Sequence, residues 1–573
     1  MSQHDGVHGE AGATSDDTTK DDAANGVTAQ DGTTNGITAG AASTDASLEG
    51  RAKSSKRQGG GKSKAWLWSL IAVIVVAALV VGVNAFFTNK QDGADGTGGA
   101  SAAKTADTVA IGLKLAPVNL DIRHQSGSAL EQILIGNVYE SLVSRGSDNK
   151  VHPGLAKSWD VSKDGLTYTF HLNDHMNFSN GDTLDAEDVA WSINELKARK
   201  YYNYDQVANL DKAEAVDAHT VKLTLSAPDS NMLWYLTGRP GLVYDKDATW
   251  DEKTGALGSG PYTVESFDPS DKIVFKANPK YWGTAHKAKT ENVIIRFLPD
   301  DNAGINALKS GDVQVLSPIT ATLAGPFRDN PEYVVKAGDG SDKFVLAFNM
   351  TDAKLKDKRV RQAIRYAIDH KQLIASRGGV DAKLGGPIPK VDPGYEDLSG
   401  VYPHDEAKAK KLMKEAGYSE DHPLEITLTY ANVYGSELGE QLQSQLAPIG
   451  IDLHVNLVEF STWLQDVHTN GDYELSLVDH AESHDFYKWA TPSYYYHYDN
   501  KQVQDLYAKA LAATTDEEAS DYLAKAAKIV SEDAPADWLF SWRVTIAYAK
   551  GVHGFPQNLS QTVLPLWQIT YEK

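Results

Sequence analysis

The sequence predicts an α/β protein of several lobes, preceded by a disordered tail and one transmembrane helix. Three observations predict it. Period-two and period-3.6 apolar patterns alternate along the chain after about residue 106. The roughly 470 residues on that side of the apolar segment exceed what a single hydrophobic core organises, so two or three lobes are expected. Residues 65–87, AWLWSLIAVIVVAALVVGVNAFF, are interrupted by no polar residue except Ser69 and Asn84.

Residues 1–50 are rich in Gly, Ala, Thr and Asp and contain no aromatic residue. Such a segment buries too little apolar area to offset its ordering entropy, which predicts disorder. Arg51, Lys53, Lys56, Arg57, Lys62 and Lys64 follow without an acid among them. Gly59-Gly60-Gly61-Lys62-Ser63 is not a phosphate-binding loop, because position 56 is lysine and no strand precedes it. Residues 65–87 as a helix reach ~34 Å at about 1.5 Å per residue, enough for a ~30 Å hydrocarbon core. The basic flank places residues 1–64 in the cytoplasm and everything after about residue 90 outside the cell. The length of the apolar run favours a retained anchor over a signal peptide cleaved near Ala85. Residues 88–105 read as a flexible tether.

Within the folded part, Thr108 to Lys114 reads as a strand. Leu130, Ile133, Leu134, Val138 and Leu142 share helical spacing. Leu166 to Leu172 and Val221 to Leu225 alternate as half-buried strands, with Asp-Gly and Asn-Gly turns in this region. Asp185 is placed to cap a helix to about Lys200. Helical stripes recur at Val360–Ile368, at Ala409–Ala416 before Gly417, and at Leu438–Leu446 before Pro448 and Gly450. Ile451 to Leu457 alternates as a strand, Tyr473 to Val478 is a further strand, and two helices fill about 501–531.

The formal net charge is −22 and there is no cysteine. The absence of cysteine removes disulfides, thiol catalysis, thiolate metal sites and a lipid-modified cysteine anchor together. The acidic balance argues against a nucleic-acid surface.

Four stretches, in order, resemble the peptide and nickel class (family 5) of bacterial extracellular solute-binding proteins that serve ABC importers. The first runs from Val151-His-Pro-Gly-Leu-Ala-Lys-Ser-Trp159 through Asp164-Gly-Leu-Thr-Tyr-Thr-Phe170 and Phe178-Ser-Asn-Gly181 to Asp185-Ala-Glu-Asp-Val189. The second is Gly258-Ser-Gly-Pro-Tyr262 with Asn278-Pro-Lys-Tyr-Trp-Gly283. The third is Phe348-Asn349 with Asp357-Lys-Arg-Val-Arg-Gln-Ala-Ile364 and Ala367-Ile-Asp369; the fourth is Tyr402-Pro-His-Asp405 through Glu415-Ala-Gly-Tyr418. The resemblance covers about residues 106–573. It implies a two-lobed clamp of the type II periplasmic-binding-protein kind. Lobe I would comprise 106–135, 258–340 and 536–573, an extra subdomain 136–257, and lobe II 341–535. Hinges would lie near Asp342–Asn349 and Ala534–Phe540. It further implies a monomeric receptor, with no cofactor, that captures peptides by closure and delivers them to permease subunits and, through them, to the ATPase.

In the peptide-binding relatives a carboxylate of the second lobe pairs with the ligand's amino group, often in a Trp-x-x-Asp pattern. Here those positions read His480 and Ser483, which leaves Glu482 or Asp485 to take over, or a different ligand. A clamp of this kind needs aromatic walls and a few placed polar groups. The expected ligand-binding residues are therefore Gln125, Tyr139, Asn349, His480, Glu482, Asp485, Trp489 and Trp542. Tyr494-Tyr-Tyr-His-Tyr498 adds aromatic density nearby, read residue by residue as core packing. His480 and His484, four apart around Glu482 and with His497 near, offer a metal alternative, outweighed by ordinary polar histidines. No metal ligand is assigned. Nickel chelate or oligosaccharide are the alternative solutes; an exported hydrolase or a surface adhesin ranks below them. Ser259 in Gly-Ser-Gly lacks the spacing of a nucleophile elbow.

Overall fold

The computed structural model describes residues 105–558 and 563–573. The expected tail, the helix at 65–87 and all of the tether but residue 105 lie outside the described residues. Among the described residues no helix is long and apolar enough to cross a membrane.

Three larger sheets organise the chain. The first has seven strands in the order Tyr333–Gly338, Val544–Ala549, Val315–Ser317, Thr108–Leu113, Asn292–Phe297, Lys272–Ala277 and Tyr262–Asp268. Thr108–Leu113 runs parallel to two neighbours, Asn292–Phe297 and Val315–Ser317. Val109, Ile111 and Leu113 are buried together with Val293, Ile295 and the helix Ser128–Leu134. That helix is shorter than the apolar spacing predicts. The chain turns at Gly136, φ 73°, so Val138 and Leu142 reach separate cores from non-helical backbone.

The second sheet has the order Ile451–Val458, Leu424–Ala431, Leu475–His480, Lys343–Phe348 and Ala536–Ser541. All six residues of Lys343–Phe348 and of Ala536–Ser541 are buried. They read as continuous rather than alternating patterns because both sheet faces are covered. The expected helices appear as Lys358–Ala367, Glu406–Ala416, Glu437–Leu446, Lys501–Ala512 and Asp516–Asp533. Gly417 ends its helix at φ 98°, which an L side chain resists.

The third sheet, Ala156–Val161, Thr167–Leu172, Thr220–Leu225 and Leu210–Asp217, is antiparallel and forms the extra subdomain with the helix Ala186–Arg199. Asp185 caps that helix by accepting from the Glu187 amide, and the Asp188 carboxylate accepts from the Asp185 amide at 3.1 Å.

The strand Ala536–Ser541 pairs with Lys343–Phe348 in the second sheet, not with lobe I as the sequence reading placed it. The chain therefore passes between the two sheets at residues 339–342 and again at Trp542–Arg543. The segments expected as hinges are largely buried strands. Trp542 sits at the crossing, packs against the cores of both lobes, and donates its amide to the Asp342 carbonyl at 3.1 Å.

A buried charge cluster fastens the helix Lys358–Ala367 to this strand. Asp537, with no exposed surface, accepts from Arg365 Nε at 3.2 Å and faces His370 Nε2 at 2.8 Å. Burial alone would raise the Asp537 carboxyl; His370 and then Arg365 hold it below its ordinary value. Asp537→Ala leaves a buried guanidinium without its counter-charge and should cost about 3–5 kcal/mol, read as a fall in the midpoint of urea unfolding. An unchanged midpoint would remove this cluster from the account of lobe II stability.

Candidate functional site

Between the two lobes and the subdomain lies a cavity of about 780 Å³. Its walls come from the loop after the first strand (Arg123, His124), the helix Ser128–Leu134, the subdomain, and residues 481–485 of lobe II. A second cavity of about 640 Å³ adjoins it, and Arg145 and Ser341 line both. The two lie on either side of a bridge across the cleft.

That bridge joins the subdomain to lobe II. Asn149 donates to Asp392 Oδ1 at 3.0 Å and to Ser483 Oγ at 2.9 Å. Ser483 also bonds Asp392, and the His484 amide donates to Asp392 Oδ2 at 3.0 Å. The His484 ring stacks on Trp234 at 4.1 Å and 5°, and its Nδ1 meets Asn231 Oδ1 at 3.1 Å. Arg145 lies over the same Trp234 ring at 3.8 Å. Burial, opposed by Lys343, pushes the Asp392 carboxyl up to about 6. Burial and Arg145 push His484 down to about 3, so its imidazole is neutral.

The loop 481–485 is held from beneath by two lysines, each 2% exposed. Lys488 Nζ contacts Glu482 Oε2 at 2.6 Å, Asp485 Oδ2 at 3.1 Å and His480 Nδ1 at 3.1 Å. Lys343 Nζ contacts the Ser341 and Glu482 carbonyls at 3.0 and 2.7 Å and Asp485 Oδ1 at 3.2 Å. Burial alone would raise the Asp485 carboxyl, but Lys343 and Lys488 hold it below its usual range. Burial alone would lower the Lys488 ammonium; Glu482 leads the groups that keep it well above its ordinary value. Burial, with Lys488 and Lys343 beside it, lowers His480 well below its ordinary value, so it is neutral. Its Nδ1 accepts from Lys488, which assigns the proton to Nε2 facing the Tyr496 hydroxyl at 2.5 Å.

Of the residues expected from sequence, Glu482 and Asp485 line the cavity. The others do not present side chains to it. Gln125 stands beside it and offers its carbonyl to Arg239 at 2.6 Å. Tyr139, 1% exposed, lies in the lobe I core against Tyr244. Asn349 sits at the far end of its strand, where Nδ2 donates to the Gly471 and Tyr473 carbonyls at 3.1 and 2.8 Å. Trp489 stacks on Tyr496 at 4.4 Å in the lobe II core, and Trp542 is the inter-lobe wedge already described. His480 belongs to the buried network, so it and His484 do not converge on a common ligand position. Ser259 has no exposed surface and donates to Glu140 Oε2 at 2.8 Å, which excludes it as an accessible nucleophile.

The aromatic wall is instead Tyr201, Tyr202, Tyr204, Trp234, Tyr235 and Tyr487. The first three form a run, Tyr201-Tyr202-Asn203-Tyr204, directly after the helix Ala186–Arg199. Its aromatic density is the sequence signal that was available. Among the described residues, Asp121, His124 and Glu252 bring ligand atoms within 4.8 Å of one another. Glu252 is already paired there with Arg123 at 2.7 and 3.1 Å.

The fold has known counterparts. NikA from Brucella suis in complex with Fe(III)-EDTA superposes with a TM-score of 0.72 at 23% identity, covering 81% of this chain and 100% of that one. The periplasmic binding protein DppA from Helicobacter pylori in complex with peptide STSA gives a TM-score of 0.66 at 24% identity, over 82% and 99% of the two chains. The glutathione-binding protein GsiB of Escherichia coli (strain K12) is 26% identical over 458 residues, 75% of this chain and 88% of that protein. Residues 150–527 match the family model "Bacterial extracellular solute-binding proteins, family 5 Middle", and the chain belongs to that family.

Proposed function

We propose that this chain is the extracellular receptor of an ABC importer, held at the membrane by its own helix at 65–87, and that it encloses a peptide between its lobes. The observation that carries the reading is the cleft itself. Its walls come from lobe I, the subdomain and lobe II, and the chain crosses between the two main sheets at only two short segments among the described residues. Such a connection lets one lobe rotate on the other while both cores stay intact. The cavity of about 780 Å³ suits a small oligomer, and its aromatic wall supplies apolar faces beside polar groups. The ligands of these relatives, glutathione and the peptide STSA, support a peptide. Glu482 and Asp485 of the expected residues, with His124, Arg145 and the Tyr201–Tyr204 run, are the groups we place at the ligand.

Native mass spectrometry of the full chain in detergent, before and after denaturation, tests the reading. Released masses spaced by amino-acid residues are expected; a single metal chelate or sugar mass would overturn it.

The bridge across the cleft sets the closed population. Trp234→Ala removes the His484 stack, worth about 0.5–1.5 kcal/mol, so affinity should weaken about 2–10-fold. Small-angle scattering should show a larger radius without ligand. An unchanged radius and affinity would show that the stack does not hold closure.

Asp392 makes stability pH-dependent. Its folded pKa of about 6 lies above the unfolded value of about 3.9. Its favourable contribution is therefore complete below pH 4 and lost as pH rises through 6, by about 3 kcal/mol. Asp392→Asn should lack that loss. The expected result is a variant that gains on the wild type between pH 4 and 7 in urea unfolding, and parallel curves would refute it.

A further inference from the structure

We infer that the ligand meets the loop 481–485 with a neutral hydrogen-bond donor and not with an ammonium group, which makes the preferred ligand an N-acylated peptide. The inference rests on the peptide reading above and narrows it.

Saturated donors and matched charge set this preference. An ammonium has three N–H bonds. Lys343 uses its three on two carbonyls and Asp485, and Lys488 uses its three on His480, Glu482 and Asp485. Both lysines are 2% exposed, so neither ammonium can swing out to solvent to make room. Asp485 is 5% exposed and already receives one lysine on each carboxylate oxygen. Glu482, whose side chain is 35% exposed, is the carboxylate a ligand can reach. Its charge is matched by Lys488 at 2.6 Å. Two ammonium groups beside two carboxylates leave this wall with no net negative charge to offset the desolvation of a further cation.

Of the remaining acids of the cavity, Glu131 and Asp229 are occupied, and Asp205 is exposed, where water and salt screen its charge. Glu131 is bonded to Arg239, itself 4% exposed. Asp229 accepts from the Asn231 amide at 3.1 Å and from Asn209 at 3.2 Å. An amide N–H adds a hydrogen bond to Glu482 without adding charge. An acylated amino terminus provides that group, and its acyl chain provides an apolar face for the tyrosine wall.

The test compares two probes on the full chain by isothermal titration calorimetry: a tetrapeptide pool with free amino termini, and the same pool N-acetylated. The expected result is at least about ten-fold tighter binding of the acetylated pool, equivalent to about 1.4 kcal/mol. Lys488→Met removes the cation that matches Glu482 and should reverse the preference; where that variant does not fold, the wild-type comparison decides alone. Glu482→Gln separates the donors: an amide N–H keeps a neutral acceptor and loses less than about three-fold, whereas an ammonium loses its counter-charge and falls by more than about ten-fold. Tighter binding of the free-amine pool, or equal binding of both, overturns this inference and leaves the peptide receptor standing. Binding of neither pool overturns the peptide reading itself, and with it the ligand class.

Discussion

Two buried ammonium groups hold the part of lobe II that faces the cleft. Lys343 enters from the first residue of a central strand, and Lys488 from the short helix Tyr487–Ala490. Between them they bind both oxygens of Asp485, one of Glu482, one ring nitrogen of His480 and two backbone carbonyls. Buried charges persist only when paired and fully hydrogen-bonded, and here each charge is both. The loop 481–485 is thereby fixed in one conformation, with His484 at φ 59° so that its ring reaches Trp234 of the subdomain. The bridge across the cleft and the polarity of its lobe II wall both depend on that fixation.

The two lobes are discontinuous in sequence, and this explains how a clamp moves without loosening its cores. The seven-stranded and five-stranded sheets exchange the chain only between 338 and 343 and between 541 and 544 among the described residues. Trp542 fills the space at one crossing and contacts both cores. The hydrogen bond from the Trp542 amide to the Asp342 carbonyl and the ion pair of Arg543 with Asp339 at 2.9 Å tie the two crossing segments together. Rotation at this point leaves the strand ladders on either side unbroken.

Much of this was readable from local pattern. The helix at 186–199 announces itself by its Asp185 cap, the helix at 406–416 by Gly417, and the strand at 451–458 by alternation. The motif series identified the family because turn glycines and capping acids stand where the backbone requires them. The pattern failed where residues of one type serve different ends. The apolar spacing from Leu130 to Leu142 crosses a turn and feeds two cores, so periodicity overstated the helix. Trp489, expected at the ligand, packs inward with the run Tyr494–Tyr498, which the sequence reads as core, while a similar run at Tyr201–Tyr204 lines the cavity.

The sequence by itself determined the α/β class, the order of elements, the family and the location of the loop 481–485 at the cleft. The class and the element order follow from period, capping and turn chemistry, which act over a few residues; the family and the place of the loop are what the ordered motifs imply by resemblance. Only the tertiary structure decided what that loop can bind. Lys343 lies 142 residues before Asp485 and Asn149 lies 334 before Ser483. Whether a carboxylate awaits a cation or already holds one depends on partners that only folding brings into contact, 3.2 Å for Lys343 and Asp485.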